Sequence, residues 1–152
     1  MDRPELKITD EDIRIIRRYL NSYRRGKLPK ETTILLKEFI LKIKATSPDL
    51  YLKLGKGMSI YMIECKESNM CYVGQSTDFE QRITQHQVSL RSNRHSNERL
   101  QEDYNKYGPE AFKYTVIKEL GPECNYKDAM REEREHIIKF IKEDKELYNK
   151  LV

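Results

Sequence analysis

Four side chains in the middle of the chain have the chemistry and spacing for phosphodiester cleavage. Arg82 and His86 are four residues apart in a segment with helical periodicity, so they share one face of a helix. Tyr61 and Tyr72 lie in two short apolar runs that could form a hairpin beside that helix. Cleavage of a phosphodiester needs an activated water, charge neutralisation in the transition state and a stabilised leaving oxygen. A guanidinium suits the phosphoryl oxygens because it can donate two parallel hydrogen bonds.

The pattern of apolar residues predicts the elements that must position these side chains. Strands are predicted over residues 59–64 and 70–75, and a third over 112–120. Helices are predicted over 77–90, 97–107 and 125–144, the first opening with Thr77-x-x-Glu80 and the last with Asn125-x-x-Asp128, both typical of capping boxes. This order predicts an α/β fold with a small, three-stranded, mostly antiparallel sheet flanked by helices.

The pattern of apolar residues in the amino-terminal third of the chain predicts a separate structural unit, a helical hairpin. Its first helix opens with Thr9-x-x-Asp12, and its second runs from about residue 31 to residue 45 and stops at Ser47-Pro48. Gly55 and Gly57 indicate a flexible connector. We therefore expect a basic helical hairpin over 1–47, a connector over 48–57 and the domain with the reactive side chains over 58–152.

The charge of the chain is concentrated in that hairpin. Residues 1–57 carry 14 basic and 8 acidic side chains, whereas residues 58–152 carry 15 and 17. A basic segment indicates a polyanion partner, usually nucleic acid, although a solvated helix surface would give the same charge. Contacts for a homodimer through residues 1–46 are the alternative role. The arginines expected to bind phosphates are Arg14, Arg17, Arg18, Arg24 and Arg25.

The reactive residues lie within a series of short motifs. Ser59-Ile60-Tyr61 is followed, after ten residues, by Tyr72-Val73-Gly74. The later motifs are, in order, Asp78-Phe79-Glu80-Gln81-Arg82, His95-Ser96-Asn97, Asn105-Lys106-Tyr107-Gly108 and Tyr148-Asn149. This series resembles the GIY-YIG nuclease family, in particular the catalytic domains of phage intron-homing endonucleases, with Ser59 in place of the first glycine. The resemblance covers about residues 57–150.

The resemblance implies a metal-dependent endonuclease, homing- or restriction-like, acting on double-stranded DNA. In such an enzyme Tyr61 would be the general base toward water and Arg82 would stabilise the phosphoryl transition state. An ordinary tyrosine has a pKa near 10, so Tyr61 needs help from Tyr72, His86 or a metal-bound hydroxide. The alternative function is a non-catalytic DNA-binding or structure-sensing protein that retains the fold.

Three further positions are carried over from the family with less defined roles. His95 is expected beside the catalytic side chains, although it could merely cap the helix after it. Asn149 matches the family's late asparagine, which lies beside the site. Gly74 allows close approach of the backbone either to a DNA phosphate or to Tyr61.

The family's late glutamate binds one divalent ion, and two residues compete for that position. Glu135 matches by the string Glu-Arg-Glu, whereas Glu133 lies in the apolar stripe of its helix and Glu135 lies toward solvent. A carboxylate on the buried side must be paired or bind a metal, so helical phase favours Glu133. Mg²⁺ is the expected ion, with Mn²⁺ as a substitute, because it accepts one carboxylate together with waters and a phosphate oxygen.

The remaining composition excludes several classes of protein. The three cysteines, Cys65, Cys71 and Cys124, are an odd number without a close pair, which argues against a disulfide scaffold and predicts a cytoplasmic location. Their spacing does not match a structural zinc site. No run of apolar residues is long enough to cross a membrane.

Overall fold

The computed structural model describes residues 8–150 and contains the predicted three-stranded sheet. A 3₁₀ turn at Pro109–Ala111 precedes the last strand. The helices and strands are, in chain order, α1 (Asp10–Arg24), α2 (Lys30–Thr46), α3 (Pro48–Lys53), β1 (Ser59–Cys65), β2 (Cys71–Ser76), α4 (Phe79–Arg91), α5 (Glu98–Tyr107), β3 (Phe112–Glu119) and α6 (Tyr126–Lys142).

The sheet has the strand order β2-β1-β3, and both pairings are antiparallel, which confirms the predicted fold class. In the first pairing Tyr61 lies directly opposite Gly74. In the second, a register shift between Ile60 and Tyr61 leaves one extra residue on β3. A bulge of this kind bends and twists the strand locally, here at the residue expected to act as the base.

Helices cover both faces of the sheet because β1 is apolar on both sides. One face packs Tyr61 and Ile63 against Leu90 of α4 and Leu100 of α5. The other face packs Ile60, with Val73 and Leu120, against α6 at its buried Ala129. The sheet therefore forms the middle layer between α4 and α5 on one side and α6 on the other.

The three amino-terminal helices have a small core of their own and are tied to the start of α6. Leu20, Ile40 and Leu54 are among its buried members. Tyr51 Oη donates to the Glu123 carboxylate at 2.6 Å, and Lys44 Nζ binds the other oxygen of Glu123 at 3.0 Å. Further ties are Lys37 Nζ to Asp128 Oδ2 at 2.8 Å and the Tyr23 hydroxyl to the Glu123 carbonyl. The hairpin thus packs against the segment that begins α6.

The segment predicted as a flexible connector instead contains a helix. Pro48, which we expected only to end α2, also begins α3, because proline is favoured at the first helical position, where no amide donor is needed. Gly57 is buried, and a Cβ there would lie 2.2 Å from the Leu120 carbonyl oxygen. That glycine therefore permits close backbone packing rather than flexibility.

The capping boxes predicted at Thr9 and Asn125 are present. The one predicted at Thr77 is wrong by one residue, since α4 is capped by Asp78, whose carboxylate accepts from the Gln81 amide at 3.1 Å. Within residues 8–150, none of the helices is both long and apolar enough to span a bilayer.

Candidate active site

Tyr61 lies at the floor of the site, and a glycine on the neighbouring strand makes room for it. Its side chain is 1% exposed, and its ring lies 6.4 Å from that of Tyr72, centroid to centroid. A Cβ at Gly74 would be 2.4 Å from the Tyr61 hydroxyl oxygen. Of the two roles considered for Gly74, the structure therefore shows close approach to Tyr61.

Helix α4 brings Arg82 and His86 to these tyrosines, as their spacing predicts. Ile83 and Leu90 bury the neighbouring face of the helix in the core. The Tyr61 hydroxyl and His86 Nε2 are 2.7 Å apart, and His86 is 3% exposed. The guanidinium of Arg82 is oriented by Gln85, because its Nη1 donates to the Gln85 amide oxygen at 3.1 Å.

His95 extends the contact between Tyr61 and His86 into a chain of hydrogen bonds. His86 Nδ1 and His95 Nε2 are 2.7 Å apart, and the two rings stack. The backbone amide of Asn97 donates to His95 Nδ1 at 3.0 Å. The structure therefore places His95 against His86, which in turn contacts Tyr61.

The backbone amide sets the direction of this chain, because an amide can only donate. His95 Nδ1 accepts, so a neutral His95 carries its proton on Nε2 and donates it to His86 Nδ1. By the same reasoning, a neutral His86 carries its proton on Nε2 and donates it to the Tyr61 oxygen. His86 is therefore a donor to Tyr61 and cannot take the phenol proton.

Asn97 and Gln101, which the sequence analysis did not select, fix the position of His95. Both are buried, at 8% and 7% exposure. Gln101 Oε1 accepts from the His95 amide at 3.0 Å, and its Nε2 donates to the Leu90 carbonyl at 3.0 Å. Asn97 caps α5 and donates from Nδ2 to the Tyr148 carbonyl at 2.7 Å. Asn97 and Gln101 are four residues apart, which places them one helical turn apart, and this spacing is the sequence signal from which the pair could have been identified.

Burial shifts the pKa values of His86 and Tyr61 in opposite directions, and each shift favours the neutral form of the side chain. Burial, assisted by the Arg82 charge and by the neighbouring His95, lowers the pKa of His86 to about 3, so this imidazole is neutral at working pH. Burial and Tyr72 raise the pKa of Tyr61 to about 12, while the Arg82 guanidinium opposes that rise. In the free protein Tyr61 is therefore a neutral phenol that already faces two donors able to stabilise its anion.

Glu133 is the acid nearest to the tyrosines among the two candidates on α6. It is half-buried, whereas Glu135 is exposed, as helical phase predicts. Burial raises the pKa of Glu133, and the charge of its carboxylate raises the pKa values of both Tyr61 and Tyr72. In the part of the chain that the structure describes, no three His, Cys, Asp or Glu side chains gather as a metal cage. A site here would therefore rest on one carboxylate.

Asn149 holds the edge strand rather than facing the reactive groups. Its Oδ1 accepts from the Val73 amide at 2.9 Å, and its Nδ2 donates to the Val73 carbonyl at 2.8 Å. Leu147, two residues earlier, forms a parallel bridge with Cys71. Since both amide atoms are engaged on the backbone next to Tyr72, Asn149 has the geometry of a positioning residue.

The five arginines of the hairpin are not equally available for phosphate. Arg14, Arg18 and Arg25 are exposed. Arg17 is exposed as well, but its guanidinium donates to the Lys53 carbonyl, with Nε at 2.9 Å. Arg24 is half-buried, which lowers the pKa of its guanidinium. The five phosphate contacts therefore stay a prediction, with the guanidinium of Arg17 engaged by a carbonyl and that of Arg24 half-buried.

Comparisons with known proteins agree with this geometry. Residues 57–149 match the profile of the GIY-YIG catalytic domain. The catalytic domain of homing endonuclease I-TevI is similar in structure, with 26% identity and a TM-score of 0.55 over 64% of this chain and 100% of that one. A variant of the I-TevI catalytic domain, with one glutamate changed to alanine, gives 26% identity and a TM-score of 0.52 over 59% of this chain and 89% of that one. No curated protein gave a significant match.

Proposed function

The chain belongs to the GIY-YIG family of nucleases, and from this premise we propose that it is a divalent-metal-dependent endonuclease that hydrolyses double-stranded DNA. The observation that carries the proposal is the 2.7 Å contact between Tyr61 and His86 beside the Arg82 guanidinium. This arrangement supplies a base, a stabiliser of that base and a cation for the phosphate. The homing or restriction setting of the activity belongs to the proposal as well, and the similarity to the homing endonuclease I-TevI favours homing.

In the proposed mechanism Tyr61 acts as the general base. Tyr61 first gives its proton to a solvent water, and the phenolate that remains is stabilised by the two groups that face its oxygen, the Nε2 proton of His86 and the guanidinium of Arg82. The phenolate then removes a proton from the attacking water as the oxygen of that water bonds to phosphorus. The bond from phosphorus to the 3′ oxygen breaks, and that oxygen takes a proton from solvent, which leaves a 5′ phosphate and a 3′ hydroxyl. Arg82 neutralises charge on the phosphoryl oxygens during this step.

The residues present fit a single divalent ion at Glu133. Nucleases of this family generally depend on a divalent metal. Burial raises the pKa of Glu133, so a bound cation would stabilise the charged form of its carboxylate. Among residues 8–150 this carboxylate has neither a hydrogen-bond donor nor a salt-bridge partner, so its oxygens are free to bind one. Mg²⁺, with Mn²⁺ as a substitute, would supply Lewis-acid stabilisation of the phosphate and of the leaving oxygen when bound there.

The experiment that tests the proposed function is incubation of the protein with supercoiled plasmid in Mg²⁺ or in EDTA. We expect nicked or linear DNA in Mg²⁺ and none in EDTA, and cleavage in Mg²⁺ that is slower by at least about 10²-fold for Arg82→Ala. If the unaltered protein binds the plasmid without cutting it in Mg²⁺ or Mn²⁺, the non-catalytic alternative is correct.

We also propose that the amino-terminal helices add DNA affinity, with homodimer contacts as the alternative. Exposed arginines on α1 support the first role, and exposed apolar side chains such as Tyr19 and Leu35 support the second. A cytoplasmic location is proposed as well, because Cys65, Cys71 and Cys124 are all free thiols.

A further inference from the structure

A groove next to the catalytic side chains has no role in the mechanism above. It has a volume of about 320 Å³ and lies where the end of β2, the start of α4 and the start of α6 meet. Its lining includes Met58, Gln75, Gln81, Arg82, Gln85 and Tyr126. Arg82 therefore belongs to the wall of this groove and to the catalytic centre at once.

That shared residue determines what can enter the groove. A phosphate held by Arg82 is covalently joined to one nucleoside on its 5′ side and one on its 3′ side. One of these two nucleosides must then lie against the surface that adjoins Arg82. The groove is the concave part of that surface, with the aromatic and amide side chains that bases require.

The groove carries groups that suit a nucleobase. Tyr126 is 45% exposed, so its ring is available for stacking, which is worth far more to a base than to a phosphate or sugar. The amide oxygen of Gln75 is buried without a hydrogen-bond partner in the described structure, which is a costly arrangement. A glutamine amide can both donate and accept a hydrogen bond, and such side chains distinguish bases by pairing with their edges.

We propose that this groove is a base-binding subsite for the strand that is cut, holding the base next to the scissile phosphate. The base stacks on Tyr126, and the Gln75 side chain turns toward the groove so that its unpartnered amide oxygen accepts from the base edge. The subsite rests on the proposed function and deepens it, since it makes the cut dependent on the base beside it. Gln81, on the turn of α4 before Arg82, lies at the edge of the same groove.

The test is to sequence the ends that the protein produces from a DNA library with randomised positions. The unaltered protein should show a base preference at one position adjacent to the cut. Tyr126→Ala should flatten that preference and lower kcat/KM about tenfold on the preferred sequence, the loss expected for one stacked base. Tyr126→Phe, which keeps the aromatic face, should retain both. Gln75→Ala should change which base is preferred.

Ile138→Ala is the matched control, since Ile138 lies on the same helix as Tyr126 and is equally exposed, at 45%, but does not line the groove. An unaltered protein that cuts with no preference beside the cut would overturn the subsite, as would a Tyr126→Ala variant with the original preference and rate. In both cases cleavage persists, so the proposed function survives. If the unaltered protein cuts no DNA in Mg²⁺ or Mn²⁺, the proposed function fails and the subsite fails with it.

Discussion

His86 Nδ1 lies 2.7 Å from His95 Nε2, and the amide of Asn97 requires that His95 be the donor in this pair. The contact therefore selects the tautomer of His86 that presents a proton, not a lone pair, to Tyr61. His95 is a positioning residue in this interpretation, because it acts on Tyr61 only through His86.

His95→Leu should therefore lower kcat by roughly 10²-fold with little change in KM, because a wrong tautomer removes a stabiliser of the base. His95→Gln should recover much of the rate, since the glutamine oxygen can accept from Asn97 and its nitrogen can donate to His86. Nitrogen-detected NMR of the histidine rings gives an independent readout. Protonation of His86 at Nδ1 instead of Nε2 in the unaltered protein would contradict the assignment.

Arg82→Ala should lose roughly 10²- to 10³-fold in cleavage rate, the typical cost of removing one donor to a transition-state charge. Binding of uncut DNA should change little, because the role is specific to the transition state. The measurements are single-turnover cleavage and a gel-shift titration in Ca²⁺. A rate within about fivefold of the unaltered protein would show that the phosphoryl cation is another residue.

Glu133→Gln should abolish metal-dependent cleavage, whereas Glu135→Gln should have little effect, because only Glu133 is half-buried near the tyrosines. Burial disfavours the charged carboxylate, so Glu133→Gln should unfold at an equal or higher temperature than the unaltered protein. Loss of activity without loss of stability separates metal binding from a structural role. If Glu135→Gln is the inactive variant, then Glu135 is the metal ligand, as the match to the string Glu-Arg-Glu indicates.

The neutral state of His86 should make the fold sensitive to acid. Its pKa is lowered to about 3 in the folded protein, against about 6.5 for an unperturbed histidine. The unfolded chain therefore binds more protons below pH 6.5, and the free energy of unfolding should decrease as the pH falls from about 6.5 toward 3. Urea denaturation at several pH values measures this, with His86→Gln showing a shallower decrease. An NMR titration of the His86 ring with a midpoint near pH 6.5 would refute the shift.

The exposed arginines of α1 and its C-terminus should determine the salt dependence of DNA binding. A variant with Arg14, Arg18 and Arg25 all changed to alanine should bind DNA more weakly, with a slope of log affinity against log salt that is smaller by about 0.9 for each lost phosphate contact. Arg17→Ala is the control: its guanidinium binds the Lys53 carbonyl, so it should lower stability and leave the slope unchanged. An unchanged slope in the triple variant would favour the dimer role, which sedimentation of the unaltered protein would then have to show.

Local pattern was enough to predict most of the fold. The short apolar run of β1, the capping boxes at Thr9 and Asn125 and the four-residue spacing of Arg82 and His86 are properties of neighbouring residues, and each is present in the structure. Helical phase also predicted correctly that Glu133 is more buried than Glu135.

The features that sequence analysis missed depend on contacts between distant parts of the chain. Helix α3 was missed because Pro48 can both end one helix and begin another, and packing against α2 decides the outcome. Arg17 is engaged by a carbonyl 36 residues away. The direction of the hydrogen bonds through His95 depends on the amide of Asn97, whose position follows only from the placement of α5.

The two hydrogen bonds between the Asn149 side chain and the Val73 backbone also bear on how the protein behaves at high concentration. Because β2 is at the edge of the sheet, its outward amides and carbonyls could template a strand from another molecule. The Cys71 amide and carbonyl bind Glu146 and Tyr148, and the Val73 pair binds the Asn149 side chain, so this edge is already filled from within the chain. The residues that hold the backbone next to Tyr72 thus also protect the protein against edge-to-edge aggregation.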